Sequence, residues 1–401
     1  MGRRTRLFCK SKKMVKNSLK NQLFFIVLLI VFLYLIIFIT KIGDRTFART
    51  IMAKFAETGI NCSDSAPDWM HQLLQHIIHD DDILSNQLMY IDQQGNKYHC
   101  ISGSPAFGAK RIQHNTRFKY ASLTKVLTHH AILDLVKQKK INLEENFIQY
   151  FPELSNFKDP RIQKIKVIDL LQHRSGFDQK KSPDPFFDLH QSSWCPYNIE
   201  YLKDIVLDFN PDARYSYDNR NSCLLGVLIE RVTGDPFREF LIRHYGLNEY
   251  KIKFSNGKSF SDEVDYDYSN SYFLNEKFIQ KMDFYALSAV GGLTGSAENL
   301  AILVKNMLNN SVLDIFSISE YAAKQCRLND FETCNGVVFR SYQKSQHLPK
   351  MYYRVGSLGP ATSLLAVTEQ KEVIVWVGNG LNIRMDEHLI DQYLYKHLIE
   401  K

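Results

Sequence analysis

The stretch Tyr120-Ala121-Ser122-Leu123-Thr124-Lys125 decides how this chain is read, and an apolar run follows it at once: Val126, Leu127, Ala131, Ile132, Leu133, Leu135 and Val136. That spacing predicts a helix beginning at or near Ser122. Lys125 then lies one turn further along the same face. A hydroxyl beside an amine is a nucleophile beside a base. A helix start also favours the negative charge that develops as the hydroxyl ionises. The pattern S-x-x-K alone equally fits a capped surface helix with a solvated lysine, so the remaining sequence must decide between the two.

Toward the C-terminus, the segment Arg214 to Gly226 is polar and aromatic, then abruptly apolar. Tyr217 and Asn219 stand two apart just before a buried helix, and both can point into one cleft. A tyrosine near a lysine can act as a general base, and an asparagine can position a carbonyl or a lysine. The bland reading is a loop that caps a helix. That helix stops at Thr233-Gly234-Asp235-Pro236. Gly291-Gly292-Leu293-Thr294-Gly295-Ser296 reads as a turn into a helix from Ala297. Thr362 to Val367 and Glu372 to Val377 read as strands, and Asp386 to Ile399 as an amphipathic helix.

Toward the N-terminus, Gln87–Asp92 and Lys97–Ile101 flank Gln93-Gln94-Gly95-Asn96 as a β-hairpin. Asp68 to His79 is an amphipathic helix with Trp69, Leu73, Leu74, Ile77 and Ile78 on one side. His76 and His79 before Asp80 read as a solvated helix end, not as metal ligands. Strands at both ends with helices between them predict one α/β unit of the α+β type with a helical insertion.

The Ser122-Leu123-Thr124-Lys125 and Tyr217-Asp218-Asn219 pair resembles the S-x-x-K and Y-x-N motifs of the penicillin-binding protein and class C β-lactamase superfamily. Ile165 to Gly176 is similar to that family's stretch between the motifs, and Gly291-Gly292-Leu293 to its later double-glycine turn. The resemblance spans about residues 65–400. It implies a β-lactamase/transpeptidase-like fold, an antiparallel sheet flanked by helices with an inserted helical subdomain. It also implies a third motif, Lys-Thr-Gly or His-x-Gly, on a strand beside the nucleophile.

Two registers compete for that third motif. Ser357-Leu358-Gly359 would place Pro360 where the family uses a backbone N–H in its oxyanion hole, and proline has none. Arg354-Val355-Gly356 places Ser357 there and keeps the donor, so it is preferred. Arg354 then stands for Lys or His, and Val355 for Thr. Both positions would hold a substrate carboxylate, and an arginine fork grips one with different geometry from lysine. Efficient β-lactam turnover is not expected, whereas ester or peptide hydrolysis is less affected. His173, within the family-like stretch, reads as structural.

The N-terminal segment carries a separate signal. Leu23 to Thr40 is uncharged and overwhelmingly apolar. At ~1.5 Å per residue such a run covers ~27 Å, near a bilayer's hydrocarbon thickness. No small-x-small cleavage site follows it. The formal net charge is +7. Arg3, Arg4, Arg6, Lys10, Lys12, Lys13, Lys16 and Lys20, with no acid among residues 1–21, account for it, so the remaining body is close to neutral. Nucleic acid is therefore not an expected partner. The asymmetry places the N-terminus in the cytoplasm. The expected organisation is a basic tail (1–21), a transmembrane signal anchor (22–40), a tether (41–64) and a hydrolase domain (65–401) outside the cytoplasm. Six of the seven cysteines, Cys62, Cys100, Cys195, Cys223, Cys326 and Cys334, then face an oxidising compartment, where pairing is allowed but not required.

The function expected is a membrane-anchored serine hydrolase with an acyl-enzyme mechanism. Ser122 is the nucleophile, and Lys125 and Tyr217 carry its proton. Asn219, Arg354, Gly356 and Ser357 form the substrate and oxyanion side. The substrate is an amide or ester: a D-alanyl peptide, a β-lactam-like ring, a small ester, or, by resemblance, a piece of peptidoglycan. No cofactor or metal is expected. The competing reading is a non-catalytic binding or sensor protein on the same fold, and it predicts a Lys125 amine turned away from Ser122.

Overall fold

The computed structural model describes residues 24–33, 45–81, 83–103, 111–190, 192–268, 274–310, 336–380 and 388–400. The chain divides into two compact units, Met1–Lys54 and Phe55–Lys401. In the first, residues 24–33 form helix α1, with every side chain exposed, Phe24 and Phe25 at 63% and 69%. No helix among the described residues is long and apolar enough to cross a membrane. The transmembrane helix expected over 22–40 is thus not found; its remaining residues, and the basic tail before it, lie outside the described residues.

A helix α2 (Arg45–Thr58) follows, then strand β1 (Asn61–Cys62) and helix α3 (Asp68–Asp80). The 41–64 segment is therefore not a bare tether. Cys62 pairs in register with Cys100 and is disulfide-bonded to it, so the sheet begins before residue 65.

The main sheet holds β1, β2 (Ser85–Ile91), β3 (Lys97–Ser102), β7 (Arg340–Tyr342), β8 (Met351–Leu358), β9 (Ala361–Thr368) and β10 (Val373–Asn379). Its order is β1-β3-β2-β10-β9-β8-β7, antiparallel throughout. Every residue of β2, β9 and β10 is buried, because both faces are covered. Alternate residues serve opposite cores. Ile374 and Trp376 pack with Trp69, Leu73 and Leu74 of α3 and with Leu389, Ile390 and Leu394 of the closing helix. Val373, Val375 and Val377 face the larger core built by the helical insertion. The closing helix is π-wound over His388–Tyr395 and α-helical over Lys396–Leu398. Its expected start at Asp386 lies outside the described residues.

Between β3 and β7 come β4 (Phe118–Lys119), α4 (Thr124–Lys137), α5 (Val167–Leu171), α6 (Asn219–Thr233), α7 (Phe237–Tyr245), β5 (Lys253–Phe254), α8 (Glu276–Lys281), β6 (Leu293–Gly295) and α9 (Ala297–Asn310). Strands β4, β6 and β5 make a small antiparallel sheet. The Phe118↔Gly295 and Lys119↔Thr294 pairs set the residues just ahead of Ser122 against the double-glycine segment. Helix α6 ends at Gly234, whose φ of +75° suits the left-handed cap that glycine adopts freely. A second disulfide, Cys195–Cys223, ties the long loop before α6 to α6 itself. Cys326 and Cys334 lie outside the described residues.

Candidate active site

Ser122 sits in a single 3-10 turn, Ala121–Leu123, that runs directly into α4. The turn is pinned from three sides. The Tyr120 N–H donates to Leu293 O at 2.9 Å, its phenol donates to Ser296 O at 2.7 Å, and Ser363 Oγ donates to Tyr120 O at 2.8 Å. Ala121 holds φ +47°, a left-handed conformation that costs a non-glycine residue about 1–3 kcal/mol and needs such surroundings to persist.

The three residues expected to meet do so. Lys125 Nζ lies 2.9 Å from Ser122 Oγ, and Tyr217 Oη lies 2.8 Å from the same oxygen. The serine hydroxyl is thus within hydrogen-bond reach of both an amine and a phenol. Lys125 is fully buried, and Nζ also donates to Val290 O at 2.8 Å. Its amine does not turn away into an ion pair, as the non-catalytic reading requires. Burial, helped by the Arg354 charge, holds the Lys125 amine well below the usual lysine range, so it loses its proton readily. Desolvation pushes the Tyr217 phenol up. Of the two groups expected to move the serine proton, the amine is thus the readier base, because a buried phenolate is costlier than a buried neutral amine.

Arg354-Val355-Gly356 is the register that meets the nucleophile. These residues lie in β8 with Gly356 opposite Ser363 of β9, whereas Gly359 occupies the β8–β9 turn at φ +60°. A Cβ on Gly356 would come within 2.6 Å of Tyr120 O and 2.9 Å of Ser122 N. Only glycine lets the strand approach the nucleophile's own backbone this closely. Ser357, next along, lines the cleft.

Arg354 lines the cleft while its guanidinium is tied into the protein. It is 4% exposed; Nη1 donates to Val338 O at 2.9 Å, and Nη2 lies 3.4 Å from His173 Nε2. Burial pushes its pKa down to about 10, which leaves it charged at neutral pH. The guanidinium is anchored inward, and it colours the site by its charge as much as by its reach. Arg340 of β7, which the sequence did not single out, stands in the cleft wall with Nη2 donating to Tyr215 Oη at 3.1 Å.

His173 is fully buried. Its Nδ1 accepts from Asp218 N–H at 3.2 Å and lies 3.1 Å from Asn221 Nδ2, and its ring packs against Tyr217 at 4.7 Å between centroids. Burial and the neighbouring Arg354 charge hold the imidazole well below its usual range. A neutral ring with these partners supports Tyr217 and lies apart from Ser122 Oγ.

Asn219, the first residue of α6, donates from Nδ2 to Asp184 Oδ2 at 2.8 Å and offers Oδ1 to Tyr217 Oη at 3.4 Å. Asp184 was missed by sequence reasoning. It lies in a loop rich in Pro, Asp and Ser, and nothing local ties that loop to Asn219, 35 residues on. The cleft above Ser122 holds about 290 Å³ and is lined also by Gln179, Phe187, Leu287 and Val290. Among the described residues no group of three or more His, Cys, Asp or Glu side chains is placed to hold a metal ion.

Comparison with known proteins gives the family and the fold. The family model described as Beta-lactamase matches residues 76–393. A candidate fimbrial assembly protein from Dichelobacter nodosus, FimD of serogroup D, is 32% identical across 96% of this chain and 99% of its own length. A candidate D-alanyl-D-alanine carboxypeptidase from Salmonella agona is 24% identical over 49% of this chain and 51% of its own. Among solved structures, a penicillin-binding protein from Bacillus halodurans superposes with a TM-score of 0.60 at 18% identity, covering 80% of this chain and 99% of that one. At that identity the likeness shows the fold alone.

Proposed function

The chain belongs to the beta-lactamase family and is a serine hydrolase, and from that premise we propose that Ser122 forms an acyl-enzyme with an amide or ester substrate while the body stands outside the cytoplasm on an N-terminal membrane anchor. The observation that carries the mechanism is the meeting of Lys125 Nζ and Tyr217 Oη on Ser122 Oγ at 2.9 and 2.8 Å. The neutral Lys125 amine takes the hydroxyl proton as Oγ attacks the substrate carbonyl. The backbone N–H groups of Ser122 and Ser357 receive the oxyanion. Tyr217 passes a proton to the leaving amine or alcohol, and Lys125 reprotonates it. Water then attacks the acyl carbonyl and gives its proton to Lys125, and as the acyl–oxygen bond breaks that proton passes to the departing Ser122 Oγ, which restores the hydroxyl and the neutral amine.

The charge balance of the cleft favours a substrate with an anionic end. Arg354 and Arg340 are both in its wall, and a terminal carboxylate is the group a guanidinium reads best. A D-alanyl peptide has such an end, and the Salmonella relative's name points the same way. Val355, with no hydroxyl where the family has Thr, disfavours β-lactam turnover.

A different observation favours a second reading of the physiological role. The FimD relative matches over nearly its whole length, the carboxypeptidase over about half. The acyl-transfer site then serves the building of a surface fibre, with a protein or peptide as its substrate.

The uncharged run over Leu23–Thr40 and the basic segment before it support the anchor. So do the exposed apolar side chains of α1. The disulfides Cys62–Cys100 and Cys195–Cys223 support an oxidising compartment for the body.

The test is labelling with a fluorophosphonate probe, followed by turnover of a p-nitrophenyl ester, a chromogenic cephalosporin and a D-alanyl-D-alanine peptide. Wild type should label, Ser122→Ala should not, and the ester and peptide should be turned over faster than the cephalosporin. Equal labelling of both proteins would overturn the assignment of the nucleophile. Reporter fusions at the C-terminus that are active only in the cytoplasm would overturn the topology.

A further inference from the structure

A carboxamide can face either way, because its oxygen and nitrogen have the same shape, and only its partners choose. At Asn219 the partner that chooses is Asp184. Burial and the neighbouring Asp218 push the Asp184 carboxyl up to about 6, so at neutral pH it is ionised and only accepts; the amide nitrogen must then face it, and the Asp184 Oδ2 to Nδ2 distance is 2.8 Å. The other carboxylate oxygen is already engaged, accepting from the Phe186 N–H at 3.0 Å. The loop bearing Asp184 is itself fastened to α6. Arg220 Nη2 donates to Ser182 Oγ at 2.8 Å, and Cys195 is bonded to Cys223. Three ties, spread over residues 182–195, thus hold this loop to the helix that begins with Asn219.

We propose that Asp184 is a positioning residue of the Ser122 site: it fixes the orientation of the Asn219 amide so that Oδ1, an acceptor, faces the Tyr217 hydroxyl. This rests on the reading of Ser122 as the nucleophile. With Oδ1 toward it, at 3.4 Å, the phenol oxygen keeps its lone pairs open to take up and release a proton during turnover. A flipped amide would instead donate to the phenol oxygen and occupy one of those lone pairs.

Asp184 also acts by charge. Asp218 and Arg220 face it from the α6 side, and Lys125 feels it from α4. Its negative charge favours the protonated form of Lys125, against Arg354, which disfavours it. Asp184→Asn therefore removes the charge and leaves one oxygen for two donors, the Phe186 N–H and the Asn219 amide, and Asp184→Leu removes both acceptors.

The experiment measures the rate of fluorophosphonate labelling against pH for the full-length protein and these two variants, with Ser122→Ala as reference. Labelling needs neutral Lys125, so the rate rises with pH through an acid limb. For Asp184→Asn the plateau should lie between those of wild type and Asp184→Leu, and the acid limb, read above pH 6 where Asp184 is ionised, should move down by ~0.5–1 pH unit, as expected for removal of one nearby charge. For Asp184→Leu the plateau should fall about tenfold, the scale of a misplaced proton-transfer group. An unmoved limb in Asp184→Asn with a wild-type plateau in Asp184→Leu overturns the proposal. A lowered melting temperature with an unmoved limb marks a merely structural role and also overturns it. If Asp184→Leu does not fold, the plateau of Asp184→Asn decides, and one at the wild-type rate overturns the proposal. Labelling of Ser122→Ala at the wild-type rate would instead sink the nucleophile assignment, a separate failure.

Discussion

Two walls of the same cleft have been treated differently. On the α4–α6 wall, Lys125 Nζ and Tyr217 Oη each lie within 2.9 Å of Ser122 Oγ, with the lysine sealed from water. On the β8 wall, two of the three motif positions hold residues unlike those of the resembled family, and Arg354 is drawn inward to Val338 O. The difference teaches where this architecture tolerates change. Proton transfer fails outside hydrogen-bond reach, so the first wall has almost no latitude. Recognition of a substrate's end is a matter of charge and fit over a larger space, so the second can drift while the chemistry stays intact. Gly356 is the exception that supports the rule. It belongs to the β8 wall but touches the nucleophile's backbone, and it alone of the three keeps the family's residue.

The comparison can be broken most sharply at Ser122. Ser122→Ala is expected to lower ester turnover by at least ~10³-fold while leaving the melting temperature near that of wild type, since only one oxygen is lost. Retained turnover, read by product release, would show that the first wall is not the reactive one.

Lys125→Met comes next, with a loss of about 10²–10³-fold in kcat. The accompanying pH profile carries a sign. Burial lowers the Lys125 pKa, and the reactive form is the neutral amine, so wild-type kcat/KM should rise with pH through that lowered pKa. The limb should be absent from the residual activity of the variant. A limb that persists unchanged belongs to some other group.

Gly356→Ala tests the exception. Its Cβ has no room beside Tyr120 O and Ser122 N, so strand or turn must shift. A drop of about 10–100-fold in kcat with a destabilisation of ~1–3 kcal/mol is expected, measured by turnover and denaturant melts. Wild-type behaviour would mean that β8 does not press on the nucleophile turn.

The smallest effect belongs to the drifted wall itself. Val355→Thr restores a hydroxyl and should change KM for a carboxylate-bearing peptide by less than about tenfold, with kcat for a neutral ester unchanged. A large change in ester kcat would erase the distinction between the two walls.

Much of this was legible beforehand for a physical reason. The helix after Ser122, the 87–101 hairpin, the two long C-terminal strands and the α3 face all follow from periodicity, which is a local property. Ordered motifs likewise named Ser122, Lys125, Tyr217 and the β8 register. Strand β1 within the 41–64 segment was not legible, because a two-residue strand such as Asn61–Cys62 has no period to read; it is defined only by pairing with β3. The proton affinity of the phenol was not legible, because burial, not proximity to lysine, dominates it. Asp184 and Arg340 could not be found at all. Each bonds to a residue remote in the chain, Asp184 to Asn219 and Arg340 to Tyr215, and neither lies in a recognisable pattern.

The sequence by itself determined which residues can do chemistry, since S-x-x-K and Y-x-N are strings of functional groups at helical and loop spacing. Tertiary structure alone decided what state those groups are in. Whether Lys125 holds a proton, which way Asn219 faces and whether Arg354 reaches outward or inward are set by desolvation and by partners tens to hundreds of residues away. Such energies depend on distances in space that no local pattern encodes.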